Sequence, residues 1–338
     1  MKSPLVVLAL SSLLACTRSA DQGDDTPPTD GPDNIECTAM QPRTVEPQAF
    51  VAPTGLQERI TSFIDGAQTK LDVQMYLFTV NAIRTRIIAA HQRGVDVRVL
   101  LDPDHAGNTT TRNALTGANV PTRNAPALYS FSHAKYMIAD GTSALVMSAN
   151  FNVDAMDRER NYGFIDRDPT DVADLTAIFN MDWASSGGEP VAPADLSCTR
   201  LIVSPNNSKA RILELINGAE STLEVEAIYV SETNVRDAIG AAKARGVTVR
   251  VILENTSDNQ ETISFFRSKG IEIHNPTGFF LHAKLIIADD VAFIGSVNYS
   301  LTSLTKNREV GALIFEPSQA QLVRTQFDAD WASSPAIP

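Results

Sequence analysis

Short apolar runs alternate with amphipathic segments over most of this sequence. Residues 71–78 and 223–230 are rich in β-branched and aromatic residues, which is typical of strands. The segments that follow, 81–92 and 234–244, carry apolar residues at helical spacing and begin with Asn, a common N-cap residue. Each predicted helix ends at an Arg-Gly pair. This alternation predicts an α/β fold with parallel or mixed sheets that are covered by helices on both faces.

The rest of the pattern predicts further strands, helices and one long loop. Apolar strands follow the Arg-Gly pairs at 95–101 and 247–253, and residues 51–66 and 208–218 have the spacing of leading helices. Residues 102–130 are rich in Asn, Thr, Gly and Pro, which predicts a long loop. Loops of that length are commonly functional.

The pattern occurs twice because the chain contains an internal duplication. Residues 93–102 (RGVDVRVLLD) and 245–254 (RGVTVRVILE) are identical at seven of ten positions, at an offset of 152. Both tryptophans lie in a second matching pair of segments, FNMDWASS and FDADWASS. Self-similarity of this kind indicates a duplicated structural unit. We therefore predict two α/β halves, which span residues 41–190 and 191–338.

The amino-terminal residues have a different composition. A lysine precedes an apolar run too short to span a bilayer as a helix, so residues 1–15 are typical of a signal peptide. The run ends in Leu-Leu-Ala-Cys, which resembles a bacterial lipobox and predicts acylation of Cys16. The alternative is an ordinary secretory signal cleaved near Ala15 or Ala20. Residues 16–40 are acidic and contain few apolar side chains, which predicts a flexible linker.

Composition and charge restrict the function. The 338 residues include 28 Lys and Arg against 40 Asp and Glu, a formal charge of −12, and six of the acidic residues lie between Thr17 and Glu36. Affinity for nucleic acid comes mainly from Lys and Arg that neutralise phosphates, so this charge disfavours a general nucleic-acid binder. An anionic substrate held in a small basic pocket remains compatible with it.

The three cysteines are too few for a disulfide scaffold and lack the spacing of a metal site. If Cys16 is lipidated, Cys37 and Cys198 remain as a pair in an oxidising compartment. The sequence predicts a disulfide between them, with two buried free thiols as the alternative.

Candidate chemistry occurs at matching places in the two halves. His133 and Lys135 repeat as His282 and Lys284, and in each half an Asp follows in the pattern His-x-Lys-x4-Asp. Because positions i and i+2 of a strand share a face, each His and its Lys are expected to project together. A Ser-x-Asn pair follows each motif and is expected to share a face in the same way. The supporting residues that we predict are Asp140, Asp289, Ser148 and Ser296.

This double motif resembles the phospholipase D superfamily. The resemblance covers residues 48–331, with both His-x-Lys-x4-Asp motifs and both Ser-x-Asn pairs. It implies two α/β/α-sandwich halves packed about a pseudo-twofold axis, with the active site between them. The catalytic residues that it implies are His133, Lys135, Asn150, His282, Lys284 and Asn298.

Such a site suits a phosphodiester substrate. The two Lys side chains would offset phosphate charge, and the two Asn amides would donate hydrogen bonds to the non-bridging oxygens. One imidazole attacks phosphorus and forms a phosphohistidine, while the other protonates the leaving alkoxide and then activates water. This scheme requires no metal ion and no cofactor.

The two halves differ where the family pattern has Asn-x-Glu. The second half keeps this order and ends it with Glu309, whereas the first half has Glu159 and Asn161 in exchanged positions. In the family this Glu position orients the His, so the resemblance implies that Glu309 serves His282 and Asn161 serves His133. A carboxylate favours imidazolium and an amide only holds the ring. We therefore expect His133 as the nucleophile, as in the family, with Glu159 as an alternative partner that could swing in.

The resulting expectation is a phospholipase D-like phosphodiesterase that hydrolyses the headgroup ester of phospholipids. A lipid anchor, an acidic body and the lack of a basic stripe fit lipid better than nucleic acid. The alternatives are a nuclease or other phosphodiesterase of the same superfamily, a phosphatidyltransferase, and a non-catalytic surface-binding lipoprotein. We expect a monomer that is exported, either as a bacterial cell-envelope lipoprotein held to the membrane by its anchor or as a secreted protein.

Overall fold

The first half of the protein alternates strands and helices in the predicted manner. The computed structural model describes residues 38–338. In chain order, the elements of the first half are β1 (Gln48–Ala52), α1 (Leu56–Gly66), β2 (Lys70–Met75), α2 (Asn81–Gln92), β3 (Asp96–Leu101), α3 (Thr109–Gly117), β4 (Thr122–Asn124), β5 (Tyr136–Ala139), β6 (Ser143–Met147), α4 (Val153–Asp157), β7 (Glu159–Asp166) and α5 (Pro169–Ser186).

The second half repeats this order with one additional short strand. Its elements are β8 (Leu201–Ser204), α6 (Ser208–Gly218), β9 (Thr222–Ala227), α7 (Thr233–Ala244), β10 (Thr248–Leu253), α8 (Gln260–Ser268), β11 (Glu272–His274), β12 (Phe280–Leu281), β13 (Lys284–Ala288), β14 (Val291–Gly295), α9 (Leu301–Thr305), β15 (Glu309–Ile314) and α10 (Pro317–Ser333).

Each half builds one mixed sheet, and the two sheets have equivalent strand orders. The first runs β1-β7-β6-β5-β2-β3-β4 and the second runs β8-β15-β14-β13-β9-β10-β11. The strands β2, β3 and β4 are parallel, whereas β1, β7, β6 and β5 are joined by antiparallel pairs. The predicted duplicated α/β fold with mixed sheets is therefore confirmed.

Both faces of each sheet are buried. The outer face of the first sheet packs against α1 and α2, which bury Ile60, Ile64 and Ile83 among other apolar residues at helical spacing. The inner faces of the two sheets share one central core, in which Phe164 of the first half packs in the same cluster as Leu285 of the second. Helices α5 and α10 contribute to this central core. The two halves are thus joined by a continuous apolar layer.

Three details differ from the sequence predictions. The predicted helix at 51–66 is wrong at its start, because β1 continues to Ala52 and the helix begins at Leu56. The predicted loop at 102–130 contains α3 and β4. The Thr-rich sequence of α3 has weak helix propensity, and burial of Thr111 and Leu115 stabilises it instead. Thr38–Met40, placed in the linker by the sequence, form a 3-10 helix whose Ala39 is buried.

The two halves are connected by residues 187–200, between α5 and β8. Cys198 lies in this connection and is disulfide-bonded. Its predicted partner Cys37 lies outside the described residues, as do Cys16, the predicted signal peptide and most of the predicted linker. Within residues 38–338, no helix is both long enough and apolar enough to cross a bilayer.

Candidate active site

His133 and His282 lie where the two halves meet. The residue before His133 forms a parallel bridge with Arg308 of the second half, and the backbone N–H of His133 donates to the carbonyl oxygen of Arg308 at 2.8 Å. In the equivalent place, β12 pairs with β7, and the N–H of His282 donates to the carbonyl oxygen of Arg160 at 3.1 Å. The backbone of each His is therefore held by the other half.

The side chains follow the same crossed arrangement. Nδ1 of His133 lies 2.8 Å from Oε2 of Glu309, and Nδ1 of His282 lies 2.9 Å from Oδ1 of Asn161. The expectation that Glu309 serves His282 and Asn161 serves His133 is therefore wrong. The reason is the backbone pairing between the halves. It places His133 beside the start of β15, which carries Glu309, and His282 beside the start of β7, which carries Asn161.

Glu309 is the centre of a buried hydrogen-bond network. Its carboxylate accepts from Oγ of Ser296 at 2.7 Å, from Oγ of Ser303 at 2.6 Å and from Nδ2 of Asn307 at 3.0 Å, in addition to His133. Burial opposes ionisation of this carboxyl, but the interaction with His133 and these hydrogen bonds hold its pKa below the usual range. Glu309 is therefore an ionised partner of His133.

Glu159 and Asn161 of the first half form an equivalent network, in which the amide of Asn161 contacts the His and the carboxylate of Glu159 lies behind it. Oδ1 of Asn161 accepts from Oγ of Ser148 at 2.8 Å, and its Nδ2 donates to Oε2 of Glu159 at 3.2 Å. These contacts fix the orientation of the amide, so Oδ1 faces His282 as an acceptor. The Glu159 carboxylate lies 3.5 Å from Nδ1 of His282. Glu159 therefore lies beside His282, and the alternative that placed it beside His133 is also wrong.

Both imidazoles carry a proton on Nδ1 in this arrangement, because each Nδ1 faces an acceptor. The Nε2 atoms are thus the reactive positions. Burial and the neighbouring Lys charges lower the pKa of His133 despite the opposing effect of Glu309. Burial, Lys284, Lys135 and His133 lower the pKa of His282 well below its ordinary value. Without a bound anion, the neutral imidazole is favoured at both positions.

Lys135 and Lys284 supply the positive charge of the site. Both side chains are buried, and each Nζ donates to the carbonyl oxygen of its own His, at 2.5 Å for His133 and 2.6 Å for His282. Burial lowers the pKa of each lysine to about 7. A bound anion would restore the charged form, since an opposite charge at this distance favours the ammonium.

Asn150 and Asn298 lie three residues after the ends of β6 and β14. In the described part of the chain, the side-chain oxygens of both are buried without a hydrogen-bond partner. Buried polar groups are usually paired, so these unpaired side-chain oxygens mark equivalent places in the two halves where a polar ligand could bind.

Asp140 and Asp289 lie at the opposite end of the sheet from the histidines, in turns with φ of 55° and 49°. The carboxylate of Asp140 accepts from the backbone N–H groups of residues 68–70, and that of Asp289 accepts from those of residues 220–222. Slight burial opposes ionisation of Asp140, but these donors lower its pKa to about 2. Both residues fix the turns that lead into β2 and β9.

Sequence reasoning missed an aromatic group beside the first His. The ring of Tyr76 lies 4.6 Å from that of His133, 4.9 Å from that of His105 and 6.1 Å from that of Phe131. The equivalent position in the second half is Ile228. Tyr76 lies near the end of the predicted strand at 71–78. This position could have identified it, because residues at strand ends next to loops often line functional sites.

It also missed two buried ion pairs that cross the junction. Arg308 contacts Asp182 of α5 at 2.8 Å, and Arg160 contacts Asp330 of α10 at 2.6 Å. These aspartates are the Asp of the repeated FxxDWASS segment, which is the signal that could have found them. The carbonyl oxygen of each Arg thus accepts a hydrogen bond from a His of the other half. The guanidinium of the same Arg pairs with an Asp on a helix of that half.

Known proteins resemble this chain in sequence. The family described as cardiolipin synthase, PLD-like domain, matches residues 60–183 and 212–331. A probable cardiolipin synthase of Bacillus subtilis is 23% identical over 312 residues, covering 79% of this chain and 62% of that protein. A cardiolipin synthase of Halalkalibacterium halodurans is 25% identical over 230 residues, covering 59% of this chain and 46% of that protein. The chain therefore spans about half to two thirds of the length of these relatives.

Solved structures agree on the fold. The phosphatidylserine synthase of Haemophilus influenzae superposes with a TM-score of 0.67 at 13% identity and covers 88% of each chain. The polyphosphate kinase of Porphyromonas gingivalis superposes with a TM-score of 0.64 at 15% identity, covering 83% of this chain and 46% of that one. Two matched repeats define the class of the protein. The chain belongs to the phospholipase D superfamily, in the family of cardiolipin synthase-type PLD-like domains.

Proposed function

We propose that this protein transfers the phosphatidyl group of a phospholipid to an alcohol through a phosphohistidine intermediate. The observation that carries the proposal is the pair of His-Lys sets, in which the lysines are buried and each His is oriented by a residue of the other half. The sequence prediction put hydrolysis of the headgroup ester first and transfer among the alternatives. The names of the relatives favour transfer, and the two reactions share the first chemical step.

The phosphate would bind between the two lysines. A phosphodiester carries one negative charge, which favours the ammonium form of both lysines. The carboxylates of Glu309 and Glu159 act in the same direction and oppose the effect of burial on both pKa values. Asn150 and Asn298 would donate their amide hydrogens to the non-bridging oxygens. As charge develops on those oxygens, these fixed donors stabilise the transition state without reorganisation.

In the first step, Nε2 of His133 attacks phosphorus and the bond from phosphorus to the headgroup oxygen breaks. The negative charge of the bound phosphodiester favours the imidazolium form of His282. Its Nε2–H gives its proton to the headgroup oxygen, and the headgroup leaves as a neutral alcohol. In the second step, the acceptor alcohol gives its proton to Nε2 of His282, and its oxygen attacks phosphorus. The phosphorus–nitrogen bond breaks, and His133 is restored as the neutral imidazole.

Glu309 supports the choice of His133 as the nucleophile. The attacking ring retains its Nδ1–H and becomes cationic in the covalent intermediate, where an adjacent carboxylate stabilises it. His133 has that carboxylate in direct contact at 2.8 Å, whereas the direct partner of His282 is the neutral amide of Asn161 and the nearest carboxylate, that of Glu159, lies farther away at 3.5 Å. Interactions that strengthen along the reaction accelerate it. We therefore keep His133 as the proposed nucleophile. The reason is its carboxylate partner, whereas the sequence expectation rested on an amide partner.

A matched pair of histidine variants tests the function. The purified protein is incubated with phosphatidylglycerol vesicles, EDTA and deuterated ethanol, and the lipids are analysed by mass spectrometry. We expect labelled phosphatidylethanol from the native chain, none from His133→Asn, and the native yield from His91→Asn, which changes a histidine of α2 outside the site. Phosphatidic acid alone would show hydrolysis instead. Plasmid DNA is incubated in parallel, and nicked DNA together with intact lipid would overturn the proposal.

We also infer export with a lipid anchor, on the basis of the lipobox-like segment that ends at Cys16. Labelled palmitate should be incorporated into the native chain expressed in bacteria and not into Cys16→Ser. Equal labelling of both, or labelling of neither, would contradict the anchor. Peptide mapping under non-reducing conditions should join Cys198 to Cys37.

A further inference from the structure

Exposed apolar side chains concentrate beside the candidate active site. Eight large apolar residues are clearly exposed in the described part of the chain, and five of them lie within five positions of a site His or Asn. These five, which we call the apolar rim, are Leu128, Phe131, Val153, Phe280 and Leu301, with between 41% and 65% of each residue exposed. Single exposed apolar residues are common on any surface, but a group around one site requires an explanation.

The apolar rim repeats across the two halves. Phe131 and Phe280 each precede a site His by two positions, and Val153 and Leu301 each follow a site Asn by three. Because consecutive Cα atoms are about 3.8 Å apart, each lies within about 12 Å of its site residue. Equivalent exposed positions therefore lie near the site residues of both halves.

The rim is continuous with the interior of the site on the first-half side. The ring of Phe131 contacts that of Tyr76, and Tyr76 in turn contacts the ring of His133. Val153 and Leu301 are the first residues of α4 and α9, the short helices that begin directly after the site asparagines. The residues that point inward from α4 and α9 are Ala155 and Leu304, so the rim residues are not needed for packing of these helices.

We propose that the apolar rim docks the protein on a phospholipid bilayer, with its side chains inserted at the boundary between headgroups and acyl chains. This inference rests on the proposed function, because it places the two ester-linked acyl chains of the substrate outside the polar site. The chain has a formal charge of −12, which disfavours attraction to anionic lipid as the source of binding. Burial of apolar area is the remaining source of affinity, and it is insensitive to salt.

The chain offers a chemically matched control. Val153→Ser with Leu301→Ser removes one Val and one Leu from the rim, and Val45→Ser with Leu322→Ser removes one Val and one Leu that are exposed elsewhere. All variants carry Cys16→Ser, so that no acyl group contributes, and His133→Asn, so that binding is measured without turnover. Partition is measured by co-sedimentation with sucrose-loaded phosphatidylcholine vesicles at low and high salt.

The rim variant should lose at least about tenfold in the partition coefficient, equivalent to about 1.4 kcal/mol. The control pair should change it less than twofold, and high salt should not weaken native binding. With His133 present, the rim variant should retain activity on a short-chain phospholipid below its micellar concentration and lose it on vesicles. Equal partition of the rim and control variants would overturn the proposal. A native chain that does not co-sediment with the vesicles would overturn it as well.

Two further outcomes separate the causes of failure. Concentration-dependent dimerisation of the native chain in sedimentation velocity, abolished in the rim variant, would assign the rim to a second copy of this chain and overturn lipid docking. If the native chain binds vesicles through the rim but transfers no phosphatidyl group, the proposed function fails and the docking surface stands.

Discussion

His133 and Glu309 form a hydrogen bond of 2.8 Å, although they are 176 positions apart and belong to different halves of the duplicated chain. The equivalent bond of the other half joins His282 to Asn161. Neither half can therefore orient its own histidine. The duplication has produced a single site whose parts are exchanged between the halves, and the exchange of Glu159 and Asn161 makes the two sides of that site chemically unequal.

We predict that Glu309→Gln lowers the rate of phosphoenzyme formation by about 10²-fold or more. The amide can still accept the Nδ1–H of His133, but it cannot neutralise the cationic ring of the intermediate. Single-turnover quenching with labelled phospholipid measures this rate, and peptide mapping locates the label. Glu232→Gln, a buried carboxylate at the N-cap of α7, should leave the rate unchanged. Label on His282 instead of His133 would contradict the assignment.

Asn161→Asp should act on the second step instead. A carboxylate in direct contact with Nδ1 of His282, in addition to the more distant carboxylate of Glu159, raises the pKa of that imidazole. His282 must be neutral to accept the proton of the acceptor alcohol, so the acidic limb of the kcat profile should move to higher pH. A profile unchanged in pH, with only a uniform loss of activity, would indicate a purely structural role for Asn161.

The crossed pairing also defines what the sequence could and could not predict. The His-x-Lys repeats and the Ser-x-Asn pairs locate the site because their spacing is local. Ser148 and Ser296 were predicted as supporting residues, and the structure shows that they donate hydrogen bonds to Asn161 and Glu309. The partner of each His, in contrast, depends on which strand the segment before it joins. The partner is determined by backbone pairing between Ser132 and Arg308 and between β12 and β7. Such long-range pairing cannot be predicted from a local sequence pattern.

The helix α3 shows the same limit in the fold. Its sequence, TTTRNALTG, combines β-branched and polar residues with low helix propensity, so local preference indicated a loop. Its two buried residues and the equivalent α8 of the second half show that tertiary packing determines the helix. Asp140 and Asp289 were predicted as supporting residues, and their odd spacing from the His correctly excluded them from the site face.

The pKa of about 7 for Lys135 and Lys284 predicts an alkaline limit to substrate capture. Folding lowers both values from the ordinary range near 10.5, so the neutral amines become populated as the pH rises through about 7. Because kcat/KM reports the free protein, it should fall above that pH. The limb of kcat should lie higher, since the bound anion raises both values. A kcat/KM that stays constant up to pH 9 would contradict the burial of these amines.

Asp182→Ala should destabilise the protein by about 3–5 kcal/mol, because the buried guanidinium of Arg308 loses its carboxylate partner and keeps only neutral acceptors such as the carbonyl oxygen of Ser204. Urea unfolding measures the loss. The matched control is Asp154→Ala, which removes an exposed pair with Arg158 and should cost less than about 1 kcal/mol. Arg308 also holds the backbone of His133, so kcat should fall in the folded fraction. Similar costs for the two variants would show that the buried pair contributes no more than a surface pair.

Gly311→Ala should displace the strand that carries Glu309. A Cβ atom at Gly311 would lie 2.5 Å from Cε2 of Phe293 and 2.7 Å from the carbonyl oxygen of Ile294, so β15 must shift away from β14. Overpacking of this kind costs about 1–3 kcal/mol. Gly66→Ala, where a Cβ would meet nothing within 4 Å, should leave both stability and kcat close to native.

The double variant Gly311→Ala with Glu309→Gln separates positioning from general damage. If the shift of β15 acts on kcat through the carboxylate beside His133, Gly311→Ala should lower kcat in the native background and add little once Glu309 is an amide. The two changes are close in space, so this lack of additivity is the expected sign of a shared interaction. Losses that multiply in full would show that the strand shift impairs the site by another route.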